Sequence, residues 1–363
     1  MSKDVSRRLS DLKSRRQGTT TMMMDSITAN RAGMESFEAR STGEWAKYTL
    51  GIMQQVDPKY TNNSVAEGER VKNQIRNRIR TGVTFEYQGS VPLNVHIRGV
   101  SDIDILVLLS GYLTYDRTGS RASDYYPWTG PGGIDQLVFL RNELEVELKA
   151  AFYEAEVDIS GDKAIGLSGG SLRRKVDVVP SHWSDSVDYQ ASQNKRDREV
   201  QIFQKKSRTT FCNRPFLHID EINEKDRRCY GGAKRIIRML KNLKADSDNP
   251  SAISVNSYEI AGLVYHFEDE PISLPAYREL ALVAATKQQL DRMIAYKDWT
   301  MSLVTPDGIR KIIESEAKFE SLKLLRAEVH DLAKNLAIEL SKRAWIDDSE
   351  ALRVLHESHI SEF

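Results

Sequence analysis

Two carboxylates separated by one residue, Asp102 and Asp104, open the most apolar run of the chain, Ile103 to Leu109. Along a strand, alternate side chains leave the same face. The two acids therefore stand about 7 Å apart on one surface, while Ile103, Ile105 and Val107 face the other. Like charges held side by side disfavour ionisation unless a cation sits with them. An all-oxygen ligand set suits Mg²⁺, which takes one or two carboxylates and completes its shell with substrate phosphates. Upstream lies Gly89-Ser90, with eleven residues between Ser90 and Asp102. A Gly-Ser turn offers backbone N–H groups and a hydroxyl where a phosphate tail can approach the main chain closely. A third acid, Asp177, sits in Lys175-Val176-Asp177-Val178-Val179-Pro180, a β-branched run expected to be a strand that the proline ends. Three acids on adjacent strands can hold two divalent ions about 3.5–4 Å apart. Such a pair serves phosphoryl transfer, whose catalysis is mostly positioning and charge neutralisation.

The elements that would position these residues follow from periodicity and breakers. Helical pattern starts near Met34 and stops at Asp57-Pro58; a second helix is expected from about Ser64 to Arg80. Val83, Phe85 and Tyr87 alternate, giving a strand into the Gly-Ser turn. After the Asp102–Asp104 strand, residues 110–135 are rich in Tyr, Gly, Pro and Ser and read as a long loop. Ile134 to Tyr153 carries Leu137, Leu140, Leu144 and Leu148 at helical spacing. Short strands are expected at 156–160, 164–167 and 200–203. Beyond Pro215 the chain reads as helical. Residues 1–35 are polar and read as a mobile segment, 36–205 as a catalytic core with N-terminal helices, and 206–363 as a helical nucleotide-binding domain.

Composition narrows the class. The 363 residues are 40% hydrophobic and 29% charged, the balance of a globular protein. No apolar run approaches the roughly 20 residues that span a bilayer, and the N-terminal residues lack the apolar stretch of a signal peptide. Two cysteines, Cys212 and Cys229, without CxxC spacing, read as reduced thiols in a cytoplasmic protein. His96, His182, His218 and His266 have no zinc-site spacing and read as structural. The 52 basic and 52 acidic residues cancel, so the basic excess typical of nucleic-acid binders is missing.

Gly89-Ser90, Asp102-x-Asp104 and the later strand with Asp177 resemble the active-site signature of the polymerase-beta-like nucleotidyltransferase superfamily. The Arg98-Gly99 between turn and acids and the run Lys175 to Pro180 resemble its bacterial cyclic GMP-AMP synthase/DncV-like branch (CD-NTases), whose enzymes make cyclic oligonucleotide signals in anti-phage defence. The resemblance covers about residues 83–260. It implies an α+β fold: a mixed sheet flanked by helices, a C-terminal helical domain similar to that of oligoadenylate synthase, and an active site in the cleft between them.

The resemblance also implies a helix lysine on the donor triphosphate, for which Lys234 is the first choice and Lys241 the second. It implies a phosphate contact from Ser257 and a base-stacking ring from Tyr258. Lys234, Arg238 and Lys241 fall at i, i+4 and i+7, one helical face. Arg98 reaches a phosphate or caps its loop. The expected cofactor is a pair of Mg²⁺ ions held by Asp102, Asp104 and Asp177, with Mn²⁺ as a substitute. The expected substrates are nucleoside triphosphates, ATP or GTP, and the downstream partner is an effector that binds the product rather than the protein. A nucleic-acid activator and a membrane are not expected. The expected reaction makes a cyclic di- or trinucleotide and releases pyrophosphate. The alternatives are transfer to an RNA, protein or small-molecule acceptor, or synthesis of a linear oligonucleotide.

Overall fold

The computed structural model describes residues 4–17, 36–97 and 99–360; Arg98 and most of the polar segment before residue 36 lie outside them. One seven-stranded sheet carries the strand order β1-β2-β5-β4-β3, with β6 on β5 and β7 on β6. The strands are β1 Val83–Gln88, β2 Ile103–Tyr115, β3 Glu156–Asp158, β4 Ile165–Ser168, β5 Val176–Asp185, β6 Glu199–Gln204 and β7 Thr209–Asn213. The longer helices are α1 Val5–Gln17, α2 Glu44–Met53, α3 Pro58–Arg78, α4 Gly133–Ala151, α5 Pro215–Arg228, α6 Gly232–Ala245, α7 Ser257–Tyr265, α8 Ala281–Ala295, α9 Glu316–Ser341 and α10 Asp348–Glu357.

β2 and β5 run parallel, and the remaining neighbours pair antiparallel. The two faces of β2 do different work. Ile103, Ile105, Val107 and Leu109 are buried with Val71 and Ile75 of α3 and Leu137, Leu140, Leu144 and Leu148 of α4. The opposite residues Leu106 and Leu108 join Val179, Val200 and Ile202 in a smaller cluster. Period-2 alternation puts Asp104 on that second face, which α3 and α4 leave uncovered.

A separate helical body draws on both ends of the chain. Leu9 and Leu12 of α1, Tyr48, Leu50 and Ile52 of α2, Ile236, Ile237 and Leu240 of α6, and Leu325, Val329 and Leu332 of α9 share one core. Helix α2, expected to belong with the catalytic core, therefore packs with the C-terminal helices, while α3 stays on the sheet. Leu93 and Val95, from the segment after Ser90, are buried in that same core and tie it to the sheet.

Four expectations change. Residues 5–17 are helical rather than mobile, because Val5, Leu9 and Leu12 share a face that meets α2. Gly51 makes that approach possible: a Cβ there would stand 2.7 Å from Leu12 Cδ2 and 2.8 Å from Phe37 Cε2. Asp57-Pro58 opens α3 at once instead of preceding a gap to Ser64. The Asp57 carboxylate accepts the Lys59 N–H at 2.6 Å, and a proline in the first turn loses no helical bond. β2 runs on to Tyr115, so residues 110–115 of the expected loop are strand, paired beyond a bulge with Trp183 to Asp185. Pro180 does not end β5, which continues to Asp185. The proline sits where β4 has finished pairing, at Val178, and β6 has not begun, at Ser181, so one flank of the strand needs no amide donor there.

Leu12→Ala tests the docking of α1. Loss of a fully buried leucine should lower unfolding free energy by about 2–5 kcal/mol, read from urea melts; a change within experimental error would mean that α1 contributes nothing to the core.

Candidate active site

β1 pairs with β2 so that Gln88 lies opposite Asp104, and the chain leaves β1 directly into Gly89 and Ser90. Gly89 has φ +79°, and a Cβ there would fall 2.3 Å from Asp104 Oδ2. Glycine is thus required twice, for the left-handed turn and for the contact with the acid. On the other flank of β2, the parallel register sets Asp104 directly beside Asp177 of β5. Asp102 precedes Ile103, whose N–H donates to the Lys175 carbonyl at 3.1 Å, so both acid strands begin at one clasp.

The electrostatics match this crowding. Burial, then the Asp177 and Asp102 carboxylates, push Asp104 up to about 7. Burial, with a contribution from Asp102, also raises Asp177. Lys175 opposes both shifts: its Nζ lies 2.9 Å from Asp102 Oδ2 and 3.7 Å from Asp177 Oδ1. Among the described residues no three His, Cys, Asp or Glu side chains close on a common point tightly enough to hold an ion alone. The donor set, three carboxylates on two neighbouring strands beside a backbone turn, fits Mg²⁺ or Mn²⁺.

The segment from Ser90 to Ser101 is held by the helical body. Lys241 Nζ donates to the Val95 carbonyl at 2.8 Å and to Ser101 Oγ at 3.2 Å. Arg238 donates from Nε to the Met53 carbonyl at 2.7 Å and from Nη1 to the Asn94 carbonyl at 2.8 Å. Burial drives the Lys241 ammonium down to about 7, with Asp104 and Asp102 pulling the other way. His96, in the same segment, is buried and driven down to about 4 by burial and then by Lys241 and Arg238.

The expected cationic stripe of α6 therefore divides. Two of its members spend their donors on backbone carbonyls of α2 and of the segment after Ser90. Lys241, the second choice from the sequence, is the one coupled to the acids. Lys234, the first choice, lies about 10 Å back along the helix. Its backbone N–H donates to Asp226, and burial lowers its ammonium without any coupling to the three acids.

Ser257 and Tyr258 open α7 behind a capping box in which Asn256 and Glu259 bond each other's backbone amides. Ser257 is exposed. Tyr258 is fixed: its hydroxyl donates to Asp307 Oδ2 at 2.7 Å, and its ring stacks on His218 at 3.8 Å between centroids and 16° between planes. The Arg310 guanidinium lies 4.9 Å from the same ring centroid. The ring is thus held between an imidazole, a carboxylate and a guanidinium.

Sequence reasoning passed over Lys175 itself. Of the triplet Arg173-Arg174-Lys175, Arg174 lies 3.7 Å over the Tyr60 ring and Lys175 meets the acids. Alternation was the available signal, since residues 175 and 177 share a face. Asp158 was also missed; it flanks Asp177 across Gly166, which pairs with both.

Known proteins resemble this chain over most of its length. Residues 220–335 match the model of the cGAS/DncV-like nucleotidyltransferase C-terminal helical domain. A cyclic dinucleotide synthase CdnE from Yersinia aleksiciae is 41% identical over 293 residues, 80% of this chain and 76% of the relative. A c-di-GMP synthase from Capnocytophaga granulosa is 33% identical over 80% of this chain and 87% of its own length. The solved structure of a STING-associated CdnE c-di-GMP synthase from Capnocytophaga granulosa superposes with TM-score 0.70 at 30% identity, covering 91% of this chain and 97% of that one. That of a Flavobacteriaceae CdnE reaches TM-score 0.74 at 22% identity over 98% and 99%, a likeness of fold. Members of such nucleotidyltransferase families work with divalent metal ions, and no helix among the described residues is long and apolar enough to cross a membrane. From the site geometry and from these likenesses together, the chain belongs to the cGAS/DncV-like nucleotidyltransferases, as one of their enzymes.

Proposed function

We propose that this chain joins two nucleoside triphosphates into a cyclic dinucleotide and releases two pyrophosphates. The observation that carries the reading is the row Asp104–Asp177, in register on parallel strands, with Asp102 at the strand entrance and the Gly89 turn in contact with Asp104. The relative at 41% identity is named a cyclic dinucleotide synthase, and three others at 26–33% are named c-di-GMP synthases. Guanine nucleotides are accordingly the first substrates to test. The product would serve as a second messenger in anti-phage defence, read by an effector that binds the nucleotide rather than this chain.

In this reading the Gly89 and Ser90 amides and the Ser90 hydroxyl bind the donor triphosphate. Asp102, Asp104 and Asp177 hold two Mg²⁺ ions, and Asp177 is the acid nearest the attacking ribose hydroxyl. Divalent cations at such a site lower the pKa of the attacking hydroxyl and neutralise the triphosphate. The hydroxyl oxygen attacks the donor's α-phosphorus, the bond to the β-phosphate oxygen breaks, and pyrophosphate leaves. A second attack, from the other ribose, closes the ring. Lys241 holds the segment after Ser90 in place from the helical side. Tyr258, set by Asp307 and His218, is the ring that would stack on a base, and Ser257 and Lys234 are the more distant phosphate contacts.

Purified protein given labelled GTP or a GTP and ATP mixture with Mg²⁺ should yield a phosphatase-resistant product whose mass is that of a cyclic dinucleotide. Label that stays in triphosphate or in phosphatase-sensitive linear species across several divalent ions would refute the cyclising reaction. Replacing Asp102 and Asp104 together by Asn should lower turnover by about 10³-fold or more, with an unchanged thermal melt showing that the acids serve chemistry rather than packing. Gly89→Ala should reduce turnover by about 10²-fold, because its Cβ forces Asp104 or the turn to move; activity near that of the unaltered protein would mean the turn does not set the acid's position.

A further inference from the structure

Lys175 occupies the space between the acids. Its backbone carbonyl accepts the Ile103 N–H, which fixes it at the entrance of both acid strands. Its ammonium lies 2.9 Å from Asp102 Oδ2 and 3.7 Å from Asp177 Oδ1. Gly166 stands opposite the stem, where even a Cβ would make only ordinary contact, 3.8 Å from Lys175 Cε and 3.5 Å from Asp177 Oδ1. The side chain keeps 48% of its exposure, so four single bonds can swing the ammonium into solvent without disturbing the core. A half-exposed ion pair of this kind is cheap to break.

From these contacts we infer that Lys175 is an internal counter-ion of the metal-free site. Its single positive charge is shared between Asp102 and Asp177, holds them near one another, and leaves when divalent metal arrives. Lys175 is thus a positioning residue that competes with the metal and sets the concentration at which the site fills. The inference rests on the reading of Asp102, Asp104 and Asp177 as metal ligands. The position of the ammonium between the two carboxylates is what gives the lysine this role.

The test is Mn²⁺ binding without nucleotide, followed by the electron paramagnetic resonance signal of free Mn²⁺. The proteins are the unaltered chain, Lys175→Met, Lys175→Arg and Asp104→Asn, each checked for an intact fold by circular dichroism. Lys175→Met keeps the stem and removes the competing charge, so its Mn²⁺ dissociation constant should fall by about three- to thirtyfold. Lys175→Arg keeps the charge and should stay within about twofold of the unaltered chain. Equal or weaker Mn²⁺ binding by Lys175→Met overturns the inference, and a rise in KM for nucleotide at saturating metal would then assign the lysine to the substrate. Asp104→Asn isolates the underlying reading. If it binds Mn²⁺ as well as the unaltered chain, the metal site itself is misplaced; if it binds more weakly while Lys175→Met is unchanged, the lysine inference alone fails.

Discussion

Two carboxylates in register on adjacent parallel strands make a standing electrostatic problem, and much of this structure is arranged around it. Asp104 and Asp177 are neighbours because β2 pairs with β5 residue for residue. A strand pair is about 4.8 Å across, so neither acid can retreat from the other without breaking the sheet. The apolar side of the same strands, Ile103, Ile105, Val107, Val176 and Val178, is locked under α3 and α4. Charge repulsion is therefore held in place by hydrophobic burial on the opposite face. The strain shows in Asp104, lifted to about 7 by burial and its two neighbours, and cations are the natural relief.

The helical body contributes less by touching the acids than by fixing what stands beside them. Arg238, Lys241 and Asn242 of α6 all donate to backbone carbonyls, of Met53, Asn94, Val95 and Ile52. Charged donors on unpaired carbonyls are stronger than neutral pairs, and here they are buried, where their loss would be costly. They clamp the end of α2 and the segment after Ser90 to one helix. The Gly89-Ser90 turn is consequently tied at one end to the sheet, through Gln88, and at the other to the helical body, through Val95. Relative movement of the two bodies would be felt at Ser90 directly.

Much of the site was legible along the chain because it obeys local rules. Alternation puts Asp102 and Asp104 on one face and Lys175 with Asp177 on another strand. The Gly-Ser turn announces a backbone that must come close to something. The helix carrying Arg238 and Lys241 was likewise plain from its spacing. What stayed hidden depended on partners distant in sequence. The α1 pattern of Val5, Leu9 and Leu12 is short and set among arginines, and its groove on α2 exists only once Gly51 and Phe37 are in place. Pro180 reads as a terminator unless it is known that β4 stops and β6 starts on either side of it.

The sequence by itself determined the chemistry available: three carboxylates, a Gly-Ser turn, a basic helix and an aromatic ring, all in segments whose periodicity names their element. Tertiary structure decided which of these meet. The parallel pairing of segments about seventy residues apart put Asp104 against Asp177, a choice no local propensity makes. Packing of α6 turned Lys241 rather than Lys234 towards the acids, and set Arg238 and Lys241 on the backbone carbonyls of Asn94 and Val95. Stacking on His218, the bond to Asp307 and the Arg310 guanidinium over the ring fixed how Tyr258 sits. Residue type and spacing set what each group can do. Its distance from the others is a property of the folded chain, because it depends on register and packing between segments that are remote along it.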